Sequence, residues 1–129
     1  MSVAITALYA AFLGIIFIAF SGYVSSVRSK TGVGTGDGGN IQMVVAMRRH
    51  GNMAEYVPFA LILMALAEIS GLSATWLHVA GVLLVAGRLV HPFGIAEDGG
   101  VFAARIGGQL ATYAAMTIPI VYVLMAGIA

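Results

Sequence analysis

A run of polar residues between Arg48 and Tyr56 interrupts an apolar part of the sequence and carries side chains suited to chemistry. At about 100° per residue, four of them fall on one face of a helix: Arg48, Asn52, Glu55 and Tyr56. An ionisable group at membrane depth costs roughly 2.5 to 3.5 kcal/mol, which makes it a functional candidate. This stripe must face another helix, a neighbouring subunit or a polar ligand. The competing interpretation is a structural network in which Arg48 and Glu55 satisfy each other.

A second group of polar residues lies around the end of the third apolar stretch and the start of the fourth. It consists of Arg88, His91, Arg105, Gln109 and Thr112. Arginines hold carboxylates by paired, charge-assisted hydrogen bonds, and Glu55 offers a partner for an ammonium group. Together the two groups suit a zwitterionic ligand with one amine and two carboxylates, a description that glutathione fits. For His91, which precedes a proline, the alternative is a structural role at a helix end.

Four apolar stretches position these residues. The chain is 60% hydrophobic and 9% charged, far from the roughly 25% charged residues of soluble domains. About 20 apolar residues cross a hydrocarbon core of about 30 Å, and backbone groups in lipid must be satisfied within the segment. We therefore predict an all-α integral membrane four-helix bundle, a single domain over residues 1–129. The predicted helices cover about residues 3–27, 42–69, 74–90 and 102–128.

The basic residues predict the orientation of the bundle. All six lie where the predicted helices meet the first and third loops: Arg28, Lys30, Arg48, Arg49, Arg88 and Arg105. The positive-inside rule therefore places both polar loops in the cytoplasm and both termini on the other side of the membrane. A net charge of +1 gives no general attraction to nucleic acid, and a chain without cysteine has no thiol nucleophile of its own. We expect no nucleic-acid partner and no metal.

The pattern R-x3-N-x2-E-Y-x-P at the start of the second helix is specific enough to suggest a family. Its residues are Arg48, Asn52, Glu55, Tyr56 and Pro58. With the helix count, the loop order and an arginine at the start of the fourth helix, the chain resembles the MAPEG family, the membrane-associated proteins in eicosanoid and glutathione metabolism. That family includes microsomal glutathione transferases and leukotriene synthases.

The resemblance implies a homotrimer that binds glutathione between subunits near the cytoplasmic face, while an apolar substrate enters from lipid. Glutathione, as co-substrate, would contact Arg48, Asn52, Glu55, Tyr56, Arg88 and His91. Family enzymes use an arginine at the start of the fourth helix to hold the glutathione sulfur as thiolate, and Arg105 matches that position. A guanidinium can lower the pKa of a thiol from about 8.5 into the neutral range.

One departure from the family pattern follows Arg88. The better-known eukaryotic enzymes have tyrosines there that contact glutathione, whereas this chain has His91, Phe93 and Ile95. Three functions remain open from the sequence. The first is a membrane-bound glutathione-dependent transferase or peroxidase that detoxifies hydrophobic electrophiles. The others are a non-catalytic lipid-binding or scaffold protein of the same family, and a small transporter with an intramembrane ion pair.

Overall fold

Four long helices account for most of the chain in the computed structural model, which describes residues 2–128; Met1 and Ala129 lie outside the described residues. The helices are α1 (Ala4–Thr31), α2 (Ile41–Ile69), α3 (Ala74–Val90) and α4 (Phe102–Ile128), and a 3-10 helix covers His91–Gly94. Each of the four helices found in the described residues is long and apolar enough to cross a membrane. The prediction of an all-α, multi-pass membrane protein is confirmed.

The first helix is longer than the apolar stretch that predicted it. It continues past residue 27 to Thr31 and ends where Gly32, with a φ of 71°, bonds its N–H to the carbonyl of Arg28. Glycine adopts this left-handed conformation without steric cost. Arg28 and Lys30 lie in the last turn, where positive charge is favourable. Hydropathy marks the edge of the lipid, whereas the backbone bonds of the helix continue beyond it.

The second helix begins at a side-chain cap. The Asn40 side-chain oxygen accepts hydrogen bonds from the backbone N–H groups of Gln42, at 2.9 Å, and Met43, at 3.3 Å. Asparagine is among the preferred residues at this position because it satisfies donors that the first helical turn leaves without partners. This cap fixes the start of α2 and therefore the register of the polar stripe that begins two turns later.

Glycines bring α3 into close contact with its neighbours. A Cβ atom at Gly87 would lie 2.7 Å from the carbonyl oxygen of Gly108 on α4, and one at Gly81 would collide with the ring of Tyr9 on α1. Both approaches therefore require glycine. The central core contains side chains from all four helices, among them Leu13, Met53, Met64, Leu84 and Ala115. Helices α1 and α2 also pack on each other along much of their length.

The bundle has two different ends. At the loop end, defined by loops 32–40 and 95–101, α1 and α3 finish and α2 and α4 begin. At the turn end, defined by residues 70–73, the Glu68 carboxylate accepts hydrogen bonds from the N–H groups of Ile5 (2.9 Å) and Thr6 (2.8 Å) and from the Thr6 hydroxyl (2.7 Å). A glutamate from α2 therefore caps the start of α1, whose own N-cap residue provides no side-chain bond.

Candidate functional site

The polar stripe of α2 forms one connected surface at the loop end. Arg48 and Glu55 make an ion pair with 3.5 Å between the guanidinium nitrogen and the carboxylate oxygen, and their side chains are 55% and 54% exposed. Between them, the Asn52 amide donates to the backbone carbonyl of Arg48 at 2.8 Å. A long, exposed ion pair of this kind contributes little stability. Both charged groups therefore keep capacity for a further partner.

Tyr56 joins this stripe to a buried arginine. The Arg88 guanidinium carbon lies 5.4 Å from the centre of the Tyr56 ring, a cation–π arrangement. Arg88 is only 2% exposed and donates to the carbonyl of Gly108 at 3.2 Å and to the side-chain oxygen of Gln109 at 3.3 Å. A buried charge needs such partners. Helices α2, α3 and α4 therefore meet in one polar cluster, here called the Arg88 cluster: Tyr56, Arg88, Gln109 and Tyr113.

His91 and Arg105 lie beside the Arg88 cluster on opposite sides of the 95–101 loop. His91 begins the 3-10 helix and is buried, and the charges of Arg88 and Arg105 lie close enough to act on its imidazole. Arg105 is exposed near the start of α4. Gly94 fixes its position, because Gly94 packs directly on the Arg105 backbone and leaves no room for a side chain. Within residues 2–128, no hydrogen bond or ion pair joins Arg105 to the α2 stripe.

The six basic residues divide into two groups. Arg28 donates to the carbonyls of Val33 (3.2 Å), Gly34 (3.4 Å) and Gly36 (3.0 Å), which fold the first loop over the end of α1. Arg49 donates to the carbonyl of Ile95 at 2.8 Å and lies 5.9 Å from the Tyr23 ring centre. These two arginines hold backbone segments in place, as Arg88 also does. The exposed basic side chains are Lys30, Arg48 and Arg105.

The structure corrects the expected position of one residue near the site and adds another that the sequence did not single out. Thr112 does not share the exposed face of Arg105, because it is buried against α3 and its hydroxyl donates to Gly108 at 2.9 Å. The residue that follows Gln109 by one turn on the open face is Tyr113, with its ring centre 6.1 Å from that of Tyr56. The helical spacing from Arg105 favours Thr112, which lies about 20° from it around the helix, over Tyr113, which lies about 80° from it.

The two exposed arginines of the site and its two tyrosines lie at different depths in the membrane. With a rise of roughly 1.5 Å per residue, Arg48 lies about 32 Å from the far end of α2, and Arg105 about 33 Å from the far end of the α4 span. Tyr56 and Tyr113 lie only about 20 and 21 Å from those same ends. For a hydrocarbon core of about 30 Å, the two arginines are at its boundary and the two tyrosines are inside it.

Cavities and metal-ligand groups add little to this site. An open apolar groove of about 790 Å³ lies between α3 and α4, but its lining, which includes Trp76 and Tyr122, is at the turn end. Within residues 2–128, no group of three histidine, aspartate or glutamate side chains has the arrangement that would hold a metal ion. The polar surface at the loop end is therefore the candidate functional site.

Comparisons with known proteins place the chain in a family. The sequence model of the MAPEG family matches residues 6–125. "Inner membrane protein YecN" of Escherichia coli strain K12 is 36% identical over 114 residues, which cover 88% of this chain and 86% of the relative. The YecN protein of Escherichia coli O6:H1 strain CFT073 matches equally well. No solved structure matches the chain significantly. Since the family match spans nearly all of the sequence and includes all four helices, the chain belongs to the MAPEG family.

Proposed function

We propose that this protein is a membrane-bound, glutathione-dependent transferase or peroxidase that acts on hydrophobic electrophiles and thereby serves detoxification. The observation that carries the proposal is the two-level site at the loop end. The exposed arginines Arg48 and Arg105 lie at the membrane boundary, whereas Glu55 and the aromatic residues Tyr56 and Tyr113 lie about 10 to 12 Å deeper along their helices. Such a site suits a charged co-substrate and an apolar substrate that reach each other at one depth. Membership of the MAPEG family supports the same conclusion.

Glutathione in this site would use groups that the bundle leaves accessible. Arg48 presents a guanidinium to a carboxylate, and Glu55 presents a carboxylate to the α-ammonium group. Asn52 and Tyr56 lie on the same face of α2, and Arg88 and His91 bound it from the end of α3. On this proposal glutathione replaces the 3.5 Å contact between Arg48 and Glu55 with shorter contacts to both. The co-substrate requires no metal.

Arg105 is proposed to hold the glutathione sulfur as a thiolate. It is exposed at the same depth as Arg48, and within residues 2–128 it takes part in no ion pair. A guanidinium with a free hydrogen-bonding edge stabilises a thiolate by charge and by hydrogen bonding. The thiolate would then attack the electrophile directly, because the ionised sulfur is the nucleophilic form.

The proposed protein is a homotrimer, because a single four-helix bundle leaves the charged face of α2 uncovered. Arg48 and Glu55 are each more than half exposed at membrane depth, where lipid is a poor neighbour for charge. A neighbouring copy would cover that face and enclose glutathione between subunits. Gly107 on α4 has no atom near the position of a Cβ and leaves room for close approach of another helix. Chemical crosslinking in detergent, with a trimer as the largest specific product, tests this proposal.

The proposed location is the inner membrane, as in the name of the YecN relatives, with the loop end in the cytoplasm and both termini on the opposite side. The basic residues at the loop end support this orientation. Because the chain has no cysteine, single cysteines report on it cleanly. In intact cells, Ser2→Cys should react with an impermeant maleimide, whereas Gly36→Cys should react only after permeabilisation. The reverse pattern contradicts the orientation.

Turnover provides the test of the proposed activity. Purified protein in detergent should form a glutathione conjugate with 1-chloro-2,4-dinitrobenzene or reduce cumene hydroperoxide with consumption of glutathione. A variant with Arg48 and Arg105 both changed to alanine serves as the matched control for contaminating enzymes. Equal rates with parent and control, or no rate with either substrate, contradict the proposal.

The non-catalytic alternative is favoured by one observation at the 3-10 helix. In place of hydroxyl groups, this segment presents Phe93, which is 68% exposed, and Ile95, whose carbonyl is held by Arg49. A protein that only binds a lipid or serves as a scaffold would not need hydroxyl groups here. Thermal stabilisation by a fatty acid, without glutathione turnover, would support this second function.

A further inference from the structure

Two hydrogen-bond donors in the Arg88 cluster have no acceptor. Within residues 2–128, the buried Nε of Arg88 and the buried amide nitrogen of Gln109 lack a hydrogen-bond partner. The assignment of the amide follows from chemistry: arginine only donates, so Gln109 must turn its oxygen to Arg88, at 3.3 Å, and keep its NH2 group for another partner. A buried donor without an acceptor costs about 1 to 3 kcal/mol. Such groups in native proteins need an explanation.

Tyr113 adds a third donor beside them. It lies one helical turn after Gln109 on α4, its ring centre is 6.1 Å from that of Tyr56, and it is 49% exposed. The Tyr56 ring in turn lies against Arg88. Tyr113 therefore belongs to the same cluster, with its hydroxyl beside that of Tyr56, and about half of the residue is accessible to a molecule that approaches from lipid.

This position differs from that of Arg105, which is proposed to hold the glutathione sulfur. Tyr113 is about 12 Å deeper in the membrane than Arg105 on the same helix. Around it, α4 exposes Leu110, and α2 exposes Phe59. An apolar substrate would therefore meet the donors of the Arg88 cluster at the point where the apolar surface begins. The donors suit an oxygen atom on that substrate, above all one on which negative charge develops.

We infer that Tyr113, with Gln109 beside it, is a catalytic hydrogen-bond donor to the leaving oxygen of the second substrate when that substrate is an apolar hydroperoxide. This inference rests on the proposed glutathione chemistry. The glutathione thiolate attacks the terminal oxygen of the hydroperoxide, the O–O bond breaks, and its electron pair leaves on the alkoxide. The Tyr113 hydroxyl donates its hydrogen bond and then its proton to this alkoxide, which becomes an alcohol; water returns the proton.

The remaining step balances the reaction with a second glutathione. The first step leaves glutathione sulfenic acid, in which sulfur carries the hydroxyl group taken from the peroxide. A second glutathione thiol reacts with it to form glutathione disulfide and water. Two glutathione molecules are thus oxidised for each hydroperoxide reduced to an alcohol. The donors matter only in the first step, because only that step expels an alkoxide.

A comparison of two substrates tests the inference. Cumene hydroperoxide expels an alkoxide, whereas benzyl chloride contains no oxygen and expels chloride when the thiolate displaces it. Tyr113→Phe keeps the ring and removes the hydroxyl. We expect it to lower kcat for cumene hydroperoxide by about 100-fold, a typical contribution of a general acid. The kcat for benzyl chloride should change by less than threefold.

Control variants separate chemistry from structure. Tyr122→Phe removes a hydroxyl from the same helix at the turn end, where Tyr122 donates to Ser70 at 3.0 Å, and should leave both rates near those of the parent. Gln109→Glu keeps the oxygen that accepts from Arg88, removes the amide donor, and should lower the hydroperoxide rate by about tenfold, with the benzyl chloride rate again near that of the parent. The thiolate absorbance of bound glutathione should be the same in all three variants, which shows that each retains the co-substrate site.

The results that would contradict the inference differ from those that would contradict the proposed function. Equal losses for both substrates in Tyr113→Phe, or no loss for either, overturn the role of Tyr113 while the glutathione chemistry stands. A parent that conjugates benzyl chloride but reduces no hydroperoxide overturns the role of Tyr113, while the glutathione conjugation stands. A parent that turns over neither substrate contradicts the proposed function, and the inference falls with it.

Discussion

The two ends of the bundle use polar residues in opposite ways. At the turn end, Glu68 accepts three hydrogen bonds from α1, and the Tyr9 hydroxyl meets a ring nitrogen of His78 at 2.9 Å. At the loop end, Arg48 and Glu55 are mostly exposed, and buried donors of Arg88 and Gln109 lack acceptors within residues 2–128. Polar groups that satisfy each other stabilise a fold, whereas unsatisfied ones require a ligand or a partner. The turn end is therefore structural, and the loop end is the candidate site.

If the two ends differ in this way, the largest loss of glutathione affinity should follow substitution of Arg48. Arg48→Ala should weaken glutathione binding by about 2 to 5 kcal/mol, because the change leaves the partner carboxylate unpaired at the membrane boundary. The unfolding temperature in detergent should remain close to that of the parent, since the pair with Glu55 is long and exposed. Isothermal titration calorimetry with glutathione measures the first quantity, and circular dichroism the second. Arg48→Lys, which keeps the charge without the paired donors, should bind with intermediate affinity.

Arg105 should affect the chemical step more than binding. Arg105→Ala should lower the conjugation rate at neutral pH by about 100-fold, comparable to the loss of one donor to a developing anion. Glutathione affinity should change little, but the ultraviolet absorbance of the bound thiolate should appear only at higher pH. An unchanged thiolate titration together with an unchanged rate would make Arg105 structural.

Glu68 provides the opposite test, at the turn end. Glu68→Ala removes the acceptor of three hydrogen bonds from the first turn of α1 and should destabilise the protein by about 2 to 3 kcal/mol. Chemical denaturation in mixed micelles measures the loss, with Glu68→Gln as a control that keeps one accepting oxygen. Glutathione affinity should be unchanged in both variants. A loss of affinity without a loss of stability would remove the distinction between the two ends.

The smallest effect is expected at the start of α2. Asn40→Ala removes the side-chain cap and should destabilise the fold by about 1 kcal/mol. Asn40→Asp keeps an accepting oxygen and should restore stability. Since the cap also fixes the register of the polar stripe, a slight loss of glutathione affinity should accompany the loss of stability. The same denaturation and calorimetric measurements report both.

Features that depend on local sequence pattern could be predicted, whereas features that depend on packing between helices could not. Apolar length predicts four spanning helices, and helical spacing predicts the shared face on which Asn52 bonds to Arg48 and Arg48 meets Glu55. The same spacing favours Thr112 over Tyr113 as the partner of Arg105 on the open face, because Thr112 lies about 20° and Tyr113 about 80° from Arg105 around the helix. The packing of Thr112 beside Gly87 on α3 decides between them.

Contacts between distant parts of the chain lie beyond such patterns. Glu68 bonds to Thr6, 62 residues away, and Arg49 to Ile95, 46 residues away. From the sequence, helical spacing places Arg48 on the polar stripe and Arg49 off it, but it gives Arg49 no partner. In the structure, Arg49 holds a loop carbonyl while Arg48 is exposed. The end of α1 at Thr31 was also missed, since hydropathy reports lipid contact rather than helix length.

Glutathione binding by matched variants of the two ends tests the central claim most directly. Calorimetric titration should be carried out on the parent, Arg48→Ala and Glu68→Ala under identical detergent conditions. We expect saturable binding of glutathione to the parent and to Glu68→Ala with equal affinity. In Arg48→Ala the affinity should fall by at least 30-fold, which corresponds to about 2 kcal/mol. A parent that binds no glutathione, or an Arg48→Ala variant that binds it as tightly as the parent, would contradict the assignment of the loop end as the site.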